Sequence, residues 1–365
     1  MAWWSRWFKG FTSGRKRGSG KGGGAAARAS QKRQDAQQTD EAGAKKAPPK
    51  KARPVKEAPP FQIEEAYDYA PDERQELESS AELAASIQGE LVSFLHENAE
   101  QLPAFPSVAS QVFELIEKPD FDVQRLVTLI HRDSVMSTEV LRIANSPMFR
   151  TQKEVASVRD AIVHLGAKQV ANVAAAVSTR SLFDLEAKAG QQEFGDLWHD
   201  LWLHSMTCAT TSFWVADELR LESQQYAYLA GMLHDIGKTI SLWGLSKLVF
   251  AQVVPLPLPH LTRSIIEANH VEAGRVVSSK WEIPQALSDT VKFHHEISTE
   301  QDPLIPAVAL TSALNEIRRN PGYDRSQEDE VWKAVEILKL KPLRVRGIVT
   351  RLRESQQIAE NLDRK

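Results

Sequence analysis

From Ser80 to the end of the chain, apolar residues recur at spacings of three and four, and no stretch alternates with period two long enough to build a sheet. Leu126, Leu129 and Ile130 make one such stripe; Val135, Met136, Val140, Leu141 and Ala144 make the next. Short breakers divide the stripes, among them Pro103, Pro106, Pro119, the run Asn145–Pro147 and Gly166. Ser157 with Asp160 has the form of a capping box opening "VRDAIVHLG", and Pro284 suits the first turn of a further helix. The expected fold class is all-α, a multi-helix bundle. No apolar run approaches the roughly 20 residues that cross a bilayer, and no secretory signal is expected at the N-terminus. The single cysteine, Cys208, excludes an internal disulfide framework and fits a reducing cytoplasm.

The net charge of -3 conceals a strong split. Residues 1–60 hold 15 Lys/Arg against 4 Asp/Glu, while the rest holds 30 against 44. From about Gly10 to Pro60 the chain is Gly, Ala, Lys, Gln and Pro with few side chains able to build a core, so a disordered basic tail is expected. Residues 61–80 turn acidic and read as linker, which makes 1–80 a tail and linker ahead of the bundle. The first dozen residues differ. Trp4, Trp7, Phe8 and Phe11 fall on one helical face, and Arg6, Lys9, Arg15, Lys16 and Arg17 lie beside it. Residues 1–12 are thus expected to form an amphipathic helix, and residues 1–17 to make weak contact with a membrane surface. The plainer alternative is a sticky end, or a helix docked on the protein's own body. Nucleic acid is a poor partner, because the body is acidic and carries no recognition motif.

The stretch from Leu102 to Arg150 reads as a unit. It starts Leu-Pro-x-Phe-Pro at Leu102–Pro106, runs through helical spacing to Asp133, and reaches "LRIANS" at Leu141–Ser146; "DAIVHLGAKQV" follows at Asp160–Val170. With "GMLHDIGKTI" at Gly231–Ile240, these features in this order resemble the HDOD family of bacterial signalling domains, over residues 99–317. Ser134 stands where that family has a proline. The resemblance implies an HD-like helical bundle with an N-terminal half near 99–190 and an HD-like half near 195–317. It also implies a role in signal transduction through protein partners, often with metal ligands eroded. It leaves the helices of 325–365 unexplained.

The polar residues argue for more than a relic. His204, the adjacent His234 and Asp235, His270, and the pair His294 and His295 lie on separate expected helices that a bundle could bring together. Imidazole with carboxylate suits Fe, Mn or Zn rather than Ca or Mg, and several such ligands around two ions activate water and hold phosphate in hydrolases. Lys238, one turn beyond Asp235, is the candidate phosphate contact. The order also resembles the HD-GYP phosphodiesterases, relatives that cleave cyclic di-GMP. Two of their features are missing: the closing Asp, where the chain has Leu310, Thr311 and Ser312, and the Gly-Tyr-Pro loop. Cys208, one turn after His204, reads as a small buried apolar residue rather than a ligand. Trp198, Trp202, Trp243 and Trp281 read as core, and His96, His131, His164, His199 and His260 as structural or surface histidines.

The expectation is therefore a cytoplasmic, non-enzymatic signalling regulator that binds a protein partner or a nucleotide second messenger and retains a divalent metal site. The alternative is a metal-dependent phosphohydrolase acting on a cyclic dinucleotide or nucleotide.

Overall fold

The computed structural model describes residues 71–363, apart from short breaks at 117, 119, 147–153, 184, 186–193 and 320–324. The expected basic tail and the amphipathic helix over 1–12 lie outside the described residues. Among the described residues every regular element is a helix, as the three-and-four spacing predicts.

Helix α1 (Pro71–Glu97) leads through a 3-10 turn at Ala99–Gln101 to α2 (Ser107–Ile116), α3 (Val123–His131), α4 (Ser134–Ala144), α5 (Val158–Leu165), α6 (Ala167–Ser178) and the short α7 (Arg180–Phe183). Next come α8 (Gly195–Leu219), α9 (Ala227–Leu233), α10 (Ile236–Phe250), α11 (Pro259–Lys280), α12 (Gln285–Phe293) and α13 (Leu304–Arg319). Two more, α14 (Arg325–Ile337) and α15 (Pro342–Asp363), close the chain.

Local chemistry sets many of the boundaries. The Ser157 hydroxyl accepts from the Asp160 amide at 3.1 Å and donates to the Asp160 carboxylate at 2.7 Å, which opens α5. The Asp122 carboxylate caps α3 by accepting from the Arg125 amide, and the Asp133 carboxylate caps α4 by accepting from the Val135 and Met136 amides. Asn145 ends α4 and clamps the chain ten residues later, donating to the Val155 carbonyl and accepting from its amide. Pro284 stands one residue outside α12 as its cap rather than in its first turn, because its carbonyl already accepts the first helical amides. Val135 departs from the expected stripe. It is 64% exposed, and the buried face of α4 is Met136, Val140, Ile143 and Ala144.

The alanine-rich helix α6, buried from Val170 to Ala176, packs on α2 and α4 on one side and on α9 on the other. Small side chains let it approach both. Every residue of α9 is buried, between α6, α8, α12 and α13. The four expected core tryptophans are all buried. Helices α14 and α15 close the core of this chain: Val345, Ile348, Val349 and Leu352 are buried, and the Thr211 hydroxyl of α8 donates to Ser355 of α15 at 3.0 Å.

Candidate metal centre

The His-Asp pair sits at a corner. His234 caps the end of α9, and Asp235 takes the position before α10. Aspartate there ordinarily caps the following helix with its carboxylate. Here the Asp235 side chain makes no capping bond. Its carboxylate points into the bundle instead, so helix capping does not explain the residue.

Two glycines of the same motif hold that corner in place. A Cβ on Gly231 would lie 2.6 Å from the Cys208 carbonyl, so α9 rests directly on the backbone of α8, which carries His204. A Cβ on Gly237 would lie 1.7 Å from the His270 carbonyl oxygen and 2.7 Å from the Gly274 nitrogen, so α10 rests on the backbone of α11, which carries His270. Close approach of these four helices, in two pairs, thereby brings residues far apart in sequence around one carboxylate.

The imidazoles are held from behind by one device. The Nδ1 of His234 lies 2.9 Å from the Gly231 carbonyl, that of His270 2.6 Å from the Glu267 carbonyl, and that of His294 3.1 Å from the Thr290 carbonyl. Each Nδ1–H donates to a carbonyl of its own helix, which leaves the Nε2 lone pair facing inward. At His204 and His295 a carboxylate takes the place of the carbonyl: Nδ1 of His204 is 3.0 Å from Glu316, and Nδ1 of His295 is 3.2 Å from Glu330. On the inner side, Asp235 divides the five rings. Its Oδ2 is 3.3 Å from His204 Nε2 and 3.4 Å from His234 Nε2. Its Oδ1 is 3.3 Å from His294 Nε2 and 3.7 Å from His270 Nε2, and His295 Nε2 is 3.0 Å from His270 Nε2. Donor atoms of Asp235, His270, His294 and His295 lie within 4.8 Å of one another, as do those of His204, Cys208 and His234.

Charge in this buried cluster is balanced. Burial opposes ionisation of Asp235, but Lys238 and His234 outweigh it and hold the carboxyl well below its ordinary range. Lys238 Nζ lies 2.9 Å from Asp235 and 2.9 Å from Glu267, and these carboxylates overcome burial to keep it charged. Burial outweighs Asp235 at His270 and His294 and lowers both to about 4, so both are neutral at pH 7. At His204 burial loses to Cys208, Glu316 and Asp235, and the imidazole is raised well above its usual value.

All six residues expected as metal ligands converge. Lys238, the expected phosphate contact, is buried between two carboxylates. Cys208 is buried as expected but not a bystander to the cluster: its Sγ is 3.5 Å from His204 Nε2. In place of a closing Asp, Ser312 puts its hydroxyl 3.0 Å from His234 Nε2. Sequence spacing missed Glu267, Glu316 and Glu330. Glu267 and Glu316 each fall one turn from a residue already singled out, whereas nothing local marks Glu330.

The donor set fits a divalent transition metal. Five imidazoles with one carboxylate suit a transition metal better than oxygen-seeking Ca or Mg. His294 Nε2 is buried without a hydrogen bond, while the Asp235 carboxylate is met by Lys238 and the surrounding rings. An unpaired buried acceptor such as His294 Nε2 is what a bound cation satisfies.

Comparisons agree with this architecture. The fold matches that of a candidate metal-dependent phosphohydrolase from Shewanella amazonensis, with a TM-score of 0.60 at 16% identity, covering 75% of this chain and 99% of that one. It also matches a candidate signal transduction protein from Marinobacter aquaeolei, with a TM-score of 0.52 at 17% identity, over 77% and 69% of the two chains. An uncharacterized protein of Treponema pallidum is 23% identical over 230 residues, 61% of this chain and 44% of that protein, so the chain spans less than half of that relative's length. The model of the HDOD domain matches residues 102–297, more than half of the sequence, and the chain therefore belongs to the HDOD family.

Proposed function

We propose that this protein is a signalling regulator whose HDOD domain holds a divalent transition metal at Asp235. Its output is the surface it presents to a protein partner or a nucleotide second messenger, rather than turnover. The observation that carries this reading is the pairing of five inward-facing imidazoles with a hydroxyl, Ser312, where a closing carboxylate is expected. A metal here would supply a Lewis-acid centre able to engage a phosphate oxygen. The protein's own groups orient the imidazoles and balance the charge, but Lys238 is committed to Asp235 and Glu267. The extent of the domain is taken as 99–317 and its setting as the cytoplasm.

The test is elemental analysis of full-length protein never exposed to chelator, followed by incubation with cyclic di-GMP. One or two Fe, Mn or Zn ions per chain without hydrolysis supports the regulator. No ion, even after reconstitution with each metal, rules out the metal reading. Hydrolysis abolished by His234→Ala would establish the second reading, a phosphodiesterase, which the five imidazoles favour and Ser312 opposes.

A further inference from the structure

Phe250, Val253, Leu256 and Leu258 stand 74%, 55%, 54% and 61% exposed on one continuous segment running from the last residue of α10 to the start of α11. We propose that this segment is a membrane-contact ridge that rests on an anionic bilayer surface.

The ridge is built rather than loose. Gln252 adopts a left-handed conformation (φ 56°), and the Gln252 and Val253 amides donate back to the Val249 and Leu248 carbonyls, locking the end of α10. Pro255, Pro257 and Pro259 then stiffen the exit, with Leu258 in an extended backbone (φ -61°, ψ 151°) that leads into α11. Val254 and Pro257 are buried and pin one side of the segment, while Pro255, Leu256, Leu258 and Pro259 are left facing outward. The result is a convex apolar edge, which suits a soft surface better than it suits a helix seeking a groove.

Charge selects the bilayer as the occupant. From Ile236 to Ile266 there is no Asp or Glu, although the chain carries 48 of them. Lys247 and Arg263 are exposed at the two ends of the ridge. Asp200, which meets this region through Arg263 at 2.8 Å, is shared with Arg319 at 3.2 Å, so that trio keeps a net positive charge. An apolar edge with basic flanks in an otherwise acidic body complements an anionic headgroup layer. The basic, aromatic sequence of residues 1–17 supplies a second, separate signal, and stable peripheral binding takes two.

The experiment is sedimentation of the full chain with vesicles of phosphatidylcholine alone and of phosphatidylcholine with phosphatidylglycerol, in low salt. The variants are Leu256→Ser with Leu258→Ser, and, as controls, Val163→Ser and Leu343→Ser, whose side chains are 80% and 77% exposed elsewhere. We expect binding to the anionic vesicles only, weakened about tenfold by the double change and unaffected by either control. Circular dichroism confirms that the variants are folded. Wild-type protein that ignores anionic vesicles, or a double variant that binds as well as wild type, overturns the proposal. So does a concentration-dependent dimer that the double change abolishes, because the ridge would then be a protein interface.

Discussion

Replacing Gly237 by Ala isolates the contact that builds the site. The added Cβ would stand 1.7 Å from the His270 carbonyl oxygen and 2.7 Å from the Gly274 nitrogen, where an ordinary contact begins at 3.4 Å. Both obstacles are backbone, so no side chain can rotate away. The helices α10 and α11 must separate by roughly 1.5–2 Å at the point where Asp235 faces His270 and His294. Overpacking that side chains can absorb costs about 1–3 kcal/mol; with backbone on both sides the cost should reach or exceed about 3 kcal/mol. For a body of this size that lowers Tm by roughly 6–12 °C. The natural control is Gly89 in α1, where a Cβ meets nothing within 4 Å; Gly89→Ala should stabilise by about 0.5–1 kcal/mol through helix propensity. Urea melts followed by circular dichroism measure both, and metal stoichiometry on the same samples reports the site. A Gly237→Ala protein within about 0.5 kcal/mol of wild type, or a Gly89→Ala protein equally damaged, would refute the idea that close helix approach positions this cluster.

Asp235→Ala leaves Lys238 buried beside the half-exposed Glu267 alone, and should cost about 3–5 kcal/mol; adding Lys238→Met should recover most of it in urea melts, and an unrecovered loss means the ion pair is not what stabilises the corner. Ser312→Asp restores a carboxylate next to His234 and should tighten metal binding about tenfold, read by competition with a chelating dye; unchanged affinity removes Ser312 from the site. Metal affinity should rise with pH. His204 is held protonated between Glu316 and Asp235, so metal-free protein binds one proton more than a form in which Nε2 is coordinated. The gain is about tenfold per pH unit until the raised His204 value is passed, and equal affinities at about pH 6.5 and 8.5 contradict the assignment of His204 as a ligand.

The helices were legible because their apolar stripes serve burial, and burial repeats with the helix period. The six ligand candidates were legible because imidazole and carboxylate are unexpected within buried helices, so His204 and His270 stand out from "LWLHSMTCA" and "ANHVEAG". Glu267, Glu316 and Glu330 were not, since an acidic residue on a helix ordinarily faces water. Only the three-dimensional approach of α13 to α8, and of α14 to the end of α12, turns Glu316 and Glu330 toward His204 and His295. Val135 shows the opposite limit. Its spacing fits the stripe of α4, yet it falls next to the Asp133 cap and faces outward while Ile143 carries the core.

The role of Lys238 bears on what kind of metal site this can be. A site whose ligands repel one another without an ion makes folding depend on the metal, as in structural zinc domains. Here Lys238 already neutralises Asp235 at 2.9 Å, two of the rings are neutral at pH 7, and Glu316 and Glu330 offset the rings that are charged. An ion is therefore not needed to neutralise this cluster. An ion entering this balanced cluster must displace the proton on His204 and compete with Lys238 for Asp235, so its arrival changes contacts on α8, α10 and α13 at once. Of those helices, α8 packs on α9 and α15, α10 on α11, and α13 on α9 and α14. Occupancy can thus alter packing without being required for it, which is the property a regulator needs and a structural metal lacks.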